Sequence, residues 1–183
     1  FNGGTLQITA SFTLDPNRGI TLSSGGGTIS VDSGQTLTYA GIITSTGNLT
    51  KSGTGNLALS ATNTYTGLTT VSNGAISVRS AAALGNASAA TTVNSNAAVN
   101  IVGALTITEP FSLSGTGVGN GAIWIPSTSG STTLSGVITT TAASRINTDI
   151  ASGTGTLTIS GAVANTTGLT LGGVGDITIN SII

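Results

Sequence analysis

The sequence predicts an all-β fold: a right-handed parallel β-solenoid of about eight three-strand coils. Three observations carry this. Short apolar–polar–apolar triplets recur along the whole chain, and the residues between them are mostly Gly, Asn, Ser and Thr. No window holds a sustained 3.6-residue period. Alternation with period two means strands with one buried face. Triplets are too short for a sandwich, whose strands run to about 5–6 residues. Three of them with their turns make a coil of roughly 20 residues, the low end of known repeat periods. Stacked at about 4.8 Å per strand, eight coils make a rod roughly 40 Å long.

The triplets follow in order. Leu6-Gln7-Ile8, Phe12-Thr13-Leu14, Ile20-Thr21-Leu22, Ile29-Ser30-Val31 and Leu37-Thr38-Tyr39 open the chain. Leu57-Ala58-Leu59, Ile76-Ser77-Val78, Val99-Asn100-Ile101, Leu105-Thr106-Ile107 and Phe111-Ser112-Leu113 occupy its middle. Ile123-Trp124-Ile125, Leu157-Thr158-Ile159, Leu169-Thr170-Leu171 and Ile177-Thr178-Ile179 close it. The turn residues accept positive φ or cap the turn through their side chains. Residues 80–90 are Ala-rich and fit a helical turn, cut short by Gly85 and Asn86.

A longer repeat overlies the short one. Residues 4–14 match 103–113, 39–44 match 134–139, 53–60 match 153–160, and 66–70 match 167–171. The offset stays between 95 (39 to 134) and 101 (66 to 167). The expected organisation is one solenoid over 1–183. A first superrepeat spans about 1–84, a junction coil about 85–102, and a second superrepeat about 103–183.

Charge is nearly absent: 4 Lys and Arg against 5 Asp and Glu, for a net charge of -1. With no basic patch, nucleic acid is not an expected partner. A polybasic membrane-surface role is equally unsupported. No apolar run approaches the roughly 20 residues of a spanning helix. Apolar residues still make up 38 % of the chain, enough for a packed core, which argues against disorder. The absence of Met points to a chain that begins inside a longer or processed protein. There is no Cys, so the core alone holds the fold, which suits a chain exported unfolded.

Catalytic chemistry is poorly supplied. The acids are Asp15, Asp32, Glu109, Asp149 and Asp176; the bases are Arg18, Lys51, Arg79 and Arg145. Without His or Cys, a zinc site lacks ligands. No phosphate loop or nucleophile elbow is present. No catalytic residue, cofactor or metal is expected, and the chain reads as a non-enzyme. Asp15 with Arg18, and Arg145 with Asp149, read as surface ion pairs. Asp32 and Asp176 each fall short of the 6–8 oxygen ligands that calcium takes.

Trp124, between Ile123 and Ile125, points away from the core and offers a candidate interaction surface. Outward threonines at 21, 106, 158, 170 and 178 raise ice binding as a further reading. The equivalent positions elsewhere are Gln7, Ser30, Ala58, Ser77, Asn100, Ser112 and Trp124, so such a face is not uniform. The ordinary reason for threonine here is β-propensity.

Residues 48–85 read NLTKSGTGNLALSATNTYTGLTTVSNGAISVRSAAALG. This stretch resembles the passenger-associated transport repeat of autotransporter proteins, of the form LTKxGxGxLxLSGxNTYTGxTTVxxGxLxVxxxxALG. The later copy keeps residues 153–161 but has VANTTG at 163–168 in place of the NTYTG step. The resemblance implies a right-handed β-helical passenger displayed outside a Gram-negative-type cell, with the repeat assisting export and folding. Each piece also has a physical reading. Gly53 and Gly55 allow a tight corner. Leu57 and Leu59 point inward. Asn63 suits a turn and could stack on an Asn of the next coil. Tyr65 is expected to cover the end or flank of the core, and joins Trp124 as a candidate interaction residue.

Neither end of the sequence reads as a polar cap. Expected partners are therefore the chain itself, end to end, or flanking repeats of a longer solenoid. The expected function is a structural module on the outer surface of a bacterium or outside it, a rigid stalk or a self-stacking fibre subunit. The alternative is an adhesin that contacts cell-surface ligands through Trp124 or the segment near Asn86. A carbohydrate-active enzyme is a distant third.

Overall fold

The computed structural model describes residues 1–165 and 167–180. Its strands stack in parallel as a solenoid of eight coils with three faces. The first face is an eight-stranded ladder: β1 (Gly4–Ile8), β4 (Gly27–Val31), β7 (Leu49–Ser52), β9 (Thr69–Val71), β11 (Thr91–Val93), β14 (Phe111–Leu113), β17 (Ile138–Thr140) and β20 (Val163–Asn165). The second is another: β2 (Phe12–Leu14), β5 (Thr36–Tyr39), β8 (Asn56–Leu59), β10 (Gly74–Val78), β12 (Ala97–Ile101), β15 (Ile123–Ile125), β18 (Ser144–Thr148) and β21 (Leu169–Gly173).

The third face is interrupted. β3 (Ile20–Leu22) pairs with β6 (Ile43–Ser45), and a separate sheet joins β13 (Thr106–Ile107), β16 (Thr132–Leu134), β19 (Thr156–Ile159) and β22 (Asp176–Ile179). Between these sheets the third and fourth coils cross the face without a strand, over residues 60–68 and 79–90. The Ala-rich segment forms turns, not the helical turn its composition fits. Gly85 ends it at φ +94, where an added Cβ would meet the Tyr65 ring.

Alternation decides which side chains enter the core. On the second face one inward row runs Leu37, Leu57, Ile76, Val99, Ile123, Ile146, all essentially without exposed surface. Burying each such side chain contributes about 1.5–3 kcal/mol before chain entropy is subtracted. The row opens with Phe12 and closes with Leu171, both partly uncovered at the terminal coils.

Outward rows stack just as strictly. On the first face Thr5, Thr28, Thr50, Thr70, Thr92, Ser112 and Thr139 sit directly above one another. On the second the equivalent row is mixed: Thr13, Thr38, Ala58, Ser77, Asn100, Trp124, Asn147.

Coils are longer and less uniform than a 20-residue period. Leu49 to Thr69 closes in 20 residues, whereas Phe111 to Ile138 takes 27. The extra residues lie in the turns, because register fixes the strands. Segments matched by the longer repeat fall on different faces. Residues 4–14 form β1 and β2 on the first and second faces, whereas 103–113 contain β13 and β14 on the third and first. Residues 53–60 contain β8 on the second face, and 153–160 contain β19 on the third. A strand with its turn is a local unit that fits any face.

Candidate functional site

The transport-repeat-like stretch builds the most polar part of the interior. Lys51 occupies an inward slot of β7 between Ile29 and Val71, with no exposed surface. Its Nζ donates to the carbonyls of Ser52 at 2.7 Å, Gly53 at 2.7 Å and Asn73 at 3.2 Å. Three protons meet three acceptors, which satisfies the ammonium without a carboxylate. Burial pulls its pKa down to about 8, which leaves it charged at neutral pH. The corner that supplies these carbonyls needs glycine. Gly53 has φ +70, and a Cβ on it would run into the Val31 carbonyl; one on Gly55 would run into that of Asp32.

In the third coil, Asn63 does the work of the absent strand. Its Oδ1 accepts from the Ile43 N–H at 2.8 Å, and its Nδ2 donates to the Ala83 carbonyl at 2.6 Å. It is 3 % exposed and bridges the coils below and above. It stacks on backbone, not on another Asn. Tyr65 follows two residues later, fully buried in the core, with its hydroxyl 2.6 Å from Thr69 Oγ1. Burial holds its phenol well above the usual range. The expectation that Tyr65 offers an interaction surface is therefore corrected: it has no exposed surface, because this crossing turns it inward.

Thr69 also donates to the Leu84 carbonyl at 3.1 Å, and Thr91, stacked on it, donates to Glu109 Oε1 at 2.7 Å. Glu109 is 4 % exposed, and burial pushes its carboxyl up to about 7. It borders a half-open pocket of about 300 Å³ at the interrupted third face, lined also by Asn63, Thr64, Gly85, Asn86 and Thr108. Neither Lys51 nor Glu109 was singled out from the sequence. The signal was present: in Leu49-Thr50-Lys51 and Ile107-Thr108-Glu109 the charge takes the inward slot of the alternation.

Trp124 lies on the outer side of the second face, half-buried. Its indole N–H donates to Asp149 Oδ2 at 2.7 Å. Asn147, stacked beside it, donates to Asp149 Oδ1 at 3.1 Å and accepts from Arg145 Nη2 at 2.8 Å. Arg145 and Asp149 are thus linked through Asn147 and act on the indole as one lateral network. Asp15 accepts from the N–H and Nδ2 of Asn17, so its carboxylate closes a turn. The Arg18 backbone completes that turn and accepts the Tyr39 hydroxyl at 2.7 Å.

Asp32 accepts from Gln7, and Asp176 from Ser152 and the Gly153 N–H. Among the described residues no three His, Cys, Asp or Glu side chains lie together where they could hold a metal. The outward threonines considered for ice binding separate by face. Thr21 lies on β3 and Thr106, Thr158 and Thr178 on the later sheet of the third face, whereas Thr170 lies on the second. None of these threonines is on the first face, where Gln7, Ser30 and Ser112 lie; the longest outward row there runs from Thr5 through Thr28, Thr50, Thr70, Thr92 and Ser112 to Thr139 and ends on Ala164.

Residues 49–78 match the family model of the passenger-associated-transport-repeat. No curated protein and no solved structure matches the chain. The repeat and the solenoid together fit an autotransporter passenger repeat protein. Such repeats are characteristic of autotransporter passenger domains, which are surface-exposed or secreted.

Proposed function

We propose that this passenger-type structural module serves as a rigid extracellular stalk or a self-stacking fibre subunit, and that it is not an enzyme. One observation carries the reading: both long ladders run through all eight coils, and an inward row of the second face and one of the third are partly uncovered at a terminal coil. Phe12 is 46 % exposed at one end and Ile179 37 % at the other, although both sit in rows that are buried elsewhere. A further coil, from the same protein or another copy, would cover these rows and pair the open edges. The buried acid and base favour a non-catalytic role, since Lys51 and Glu109 are engaged in holding the fold. The adhesin reading keeps Trp124, whose N–H already has a partner, and the segment at Asn86, which is exposed beside the pocket.

Negative-stain electron microscopy of the isolated chain at neutral pH tests the proposal. Uniform filaments, whose assembly is blocked by Phe12→Lys, are the expected result for a fibre subunit. Monodisperse short rods would restrict the role to a stalk segment. Flexible or collapsed particles would overturn both.

A further inference from the structure

We propose that the first face of the solenoid is an ice-binding surface, on which two rows of outward hydroxyls and amides hold water in register with the ice lattice. The inference goes beyond the stalk reading and stands without it. The first row is the stack from Thr5 to Thr139. Two residues further along each strand comes a second. Gln7, Ser30 and Ser52 are paired in register, and Ser72, Asn94 and Ser114 continue the row, each N–H bonding the coil before. Six successive coils thus present a Thr-x-Ser pattern or a close variant of it, and a seventh adds Thr139-x-Thr141, with the Thr141 hydroxyl bonded to Ser114.

Geometry and chemistry both point to ordered water. Neighbouring coils repeat at about 4.8 Å, and the two rows lie about 6.7 Å apart along the strand. Oxygen atoms on the prism planes of ice repeat at nearly these spacings. Among the described residues, no hydroxyl of the first row is bonded to a protein group. Threonines elsewhere are engaged, as at Thr69, Thr91 and Thr154. Every hydroxyl of that row is therefore left to solvent, and the stacked methyls stiffen the rank. The one charged residue on these strands, Lys51, points inward, and the nearest carboxylate, Asp32, touches only the first coil of the second row, through Gln7.

The second face is an internal control. With the same strand geometry its row mixes Thr, Ala, Ser, Asn and Trp, so β-propensity alone does not produce a uniform row. The third face repeats the pattern over four coils only, from Thr106 to Thr178. A crystalline polysaccharide is the less favoured occupant, because sugar-binding platforms rely on outward aromatic rings and this face has none.

The test is thermal hysteresis and ice-recrystallisation inhibition by the purified chain. The double variant Thr70→Lys, Thr92→Lys is compared with Thr38→Lys on the second face, and all are checked by circular-dichroism melting. Activity in the parent and in Thr38→Lys, lost in the double variant at unchanged melting temperature, is the expected result. If the double variant does not fold, Ser112→Tyr repeats the test with a residue that suits strands. An inactive parent, an active first-face variant, or equal loss in Thr38→Lys overturns the proposal. So does retention on microcrystalline cellulose by a parent that is inactive toward ice.

Discussion

Glu109 is carried inside by the alternation of its own segment. Ile107 points in, Thr108 out, and Glu109 in, against the hydroxyl of Thr91 and near the phenol of Tyr65. Desolvation favours its neutral form, and Thr91 offsets part of that by donating to the carboxylate. The folded state therefore binds this proton more tightly than the unfolded chain. The stability it contributes is complete below about pH 4.5 and lost as pH rises through about 7. The shift from 4.5 to about 7 corresponds to about 3 kcal/mol. Urea unfolding between pH 4 and pH 8 should show that loss in the parent, and Glu109→Gln should remove it. A parent profile that stays flat would mean the carboxyl is solvated. Lys51 is the opposite case, a buried charge kept because three carbonyls converge on it.

Strands form where the inward slots hold Leu, Ile, Val or Phe, and every apolar triplet noted in the sequence lies within a strand except the one at 105–107, where Leu105 precedes β13. Strands with polar inward residues were harder to see. In β9 and β11 the first inward residue is Thr, and in β7 it is followed by Lys51, so the apolar alternation is masked. The crossing at residues 60–68 is the least regular element, and it depends on one side chain. Asn63→Ala leaves the Ile43 N–H and the Ala83 carbonyl buried without partners. At about 1–3 kcal/mol for each group, the variant should lose about 2–6 kcal/mol in urea titration. A change under about 0.5 kcal/mol would show that water replaces the amide. Asn63→Asp should cost at least as much at neutral pH, since a buried carboxylate oxygen would face the Ala83 carbonyl with no donor between them.

At the scale of the molecule, each coil pairs only with the coil before and the coil after it. Stability is then close to a sum of coil and interface contributions. Removing residues 27–48 takes out one coil and joins Gly26 to Leu49, which is stacked in register on Gly27. The shortened chain should keep a β circular-dichroism spectrum and a cooperative melt, with stability lowered by about one coil interface. An unfolded product would show that the coils are not independent units.

The sequence by itself determined the solenoid, its coil number and its turn residues. Alternation, short strands and Gly/Asn punctuation are local properties, and eight stacked repeats follow from length. What the tertiary structure decided is which face each triplet occupies. Coil lengths vary from 20 residues (Leu49 to Thr69) to 27 (Phe111 to Ile138), so face assignment cannot be counted along the chain and depends on register between coils. Only that register gathers seven hydroxyl side chains, from Thr5 to Thr139, into one row. It also turns Tyr65 inward and brings Thr91 against Glu109, residues 18 apart in sequence.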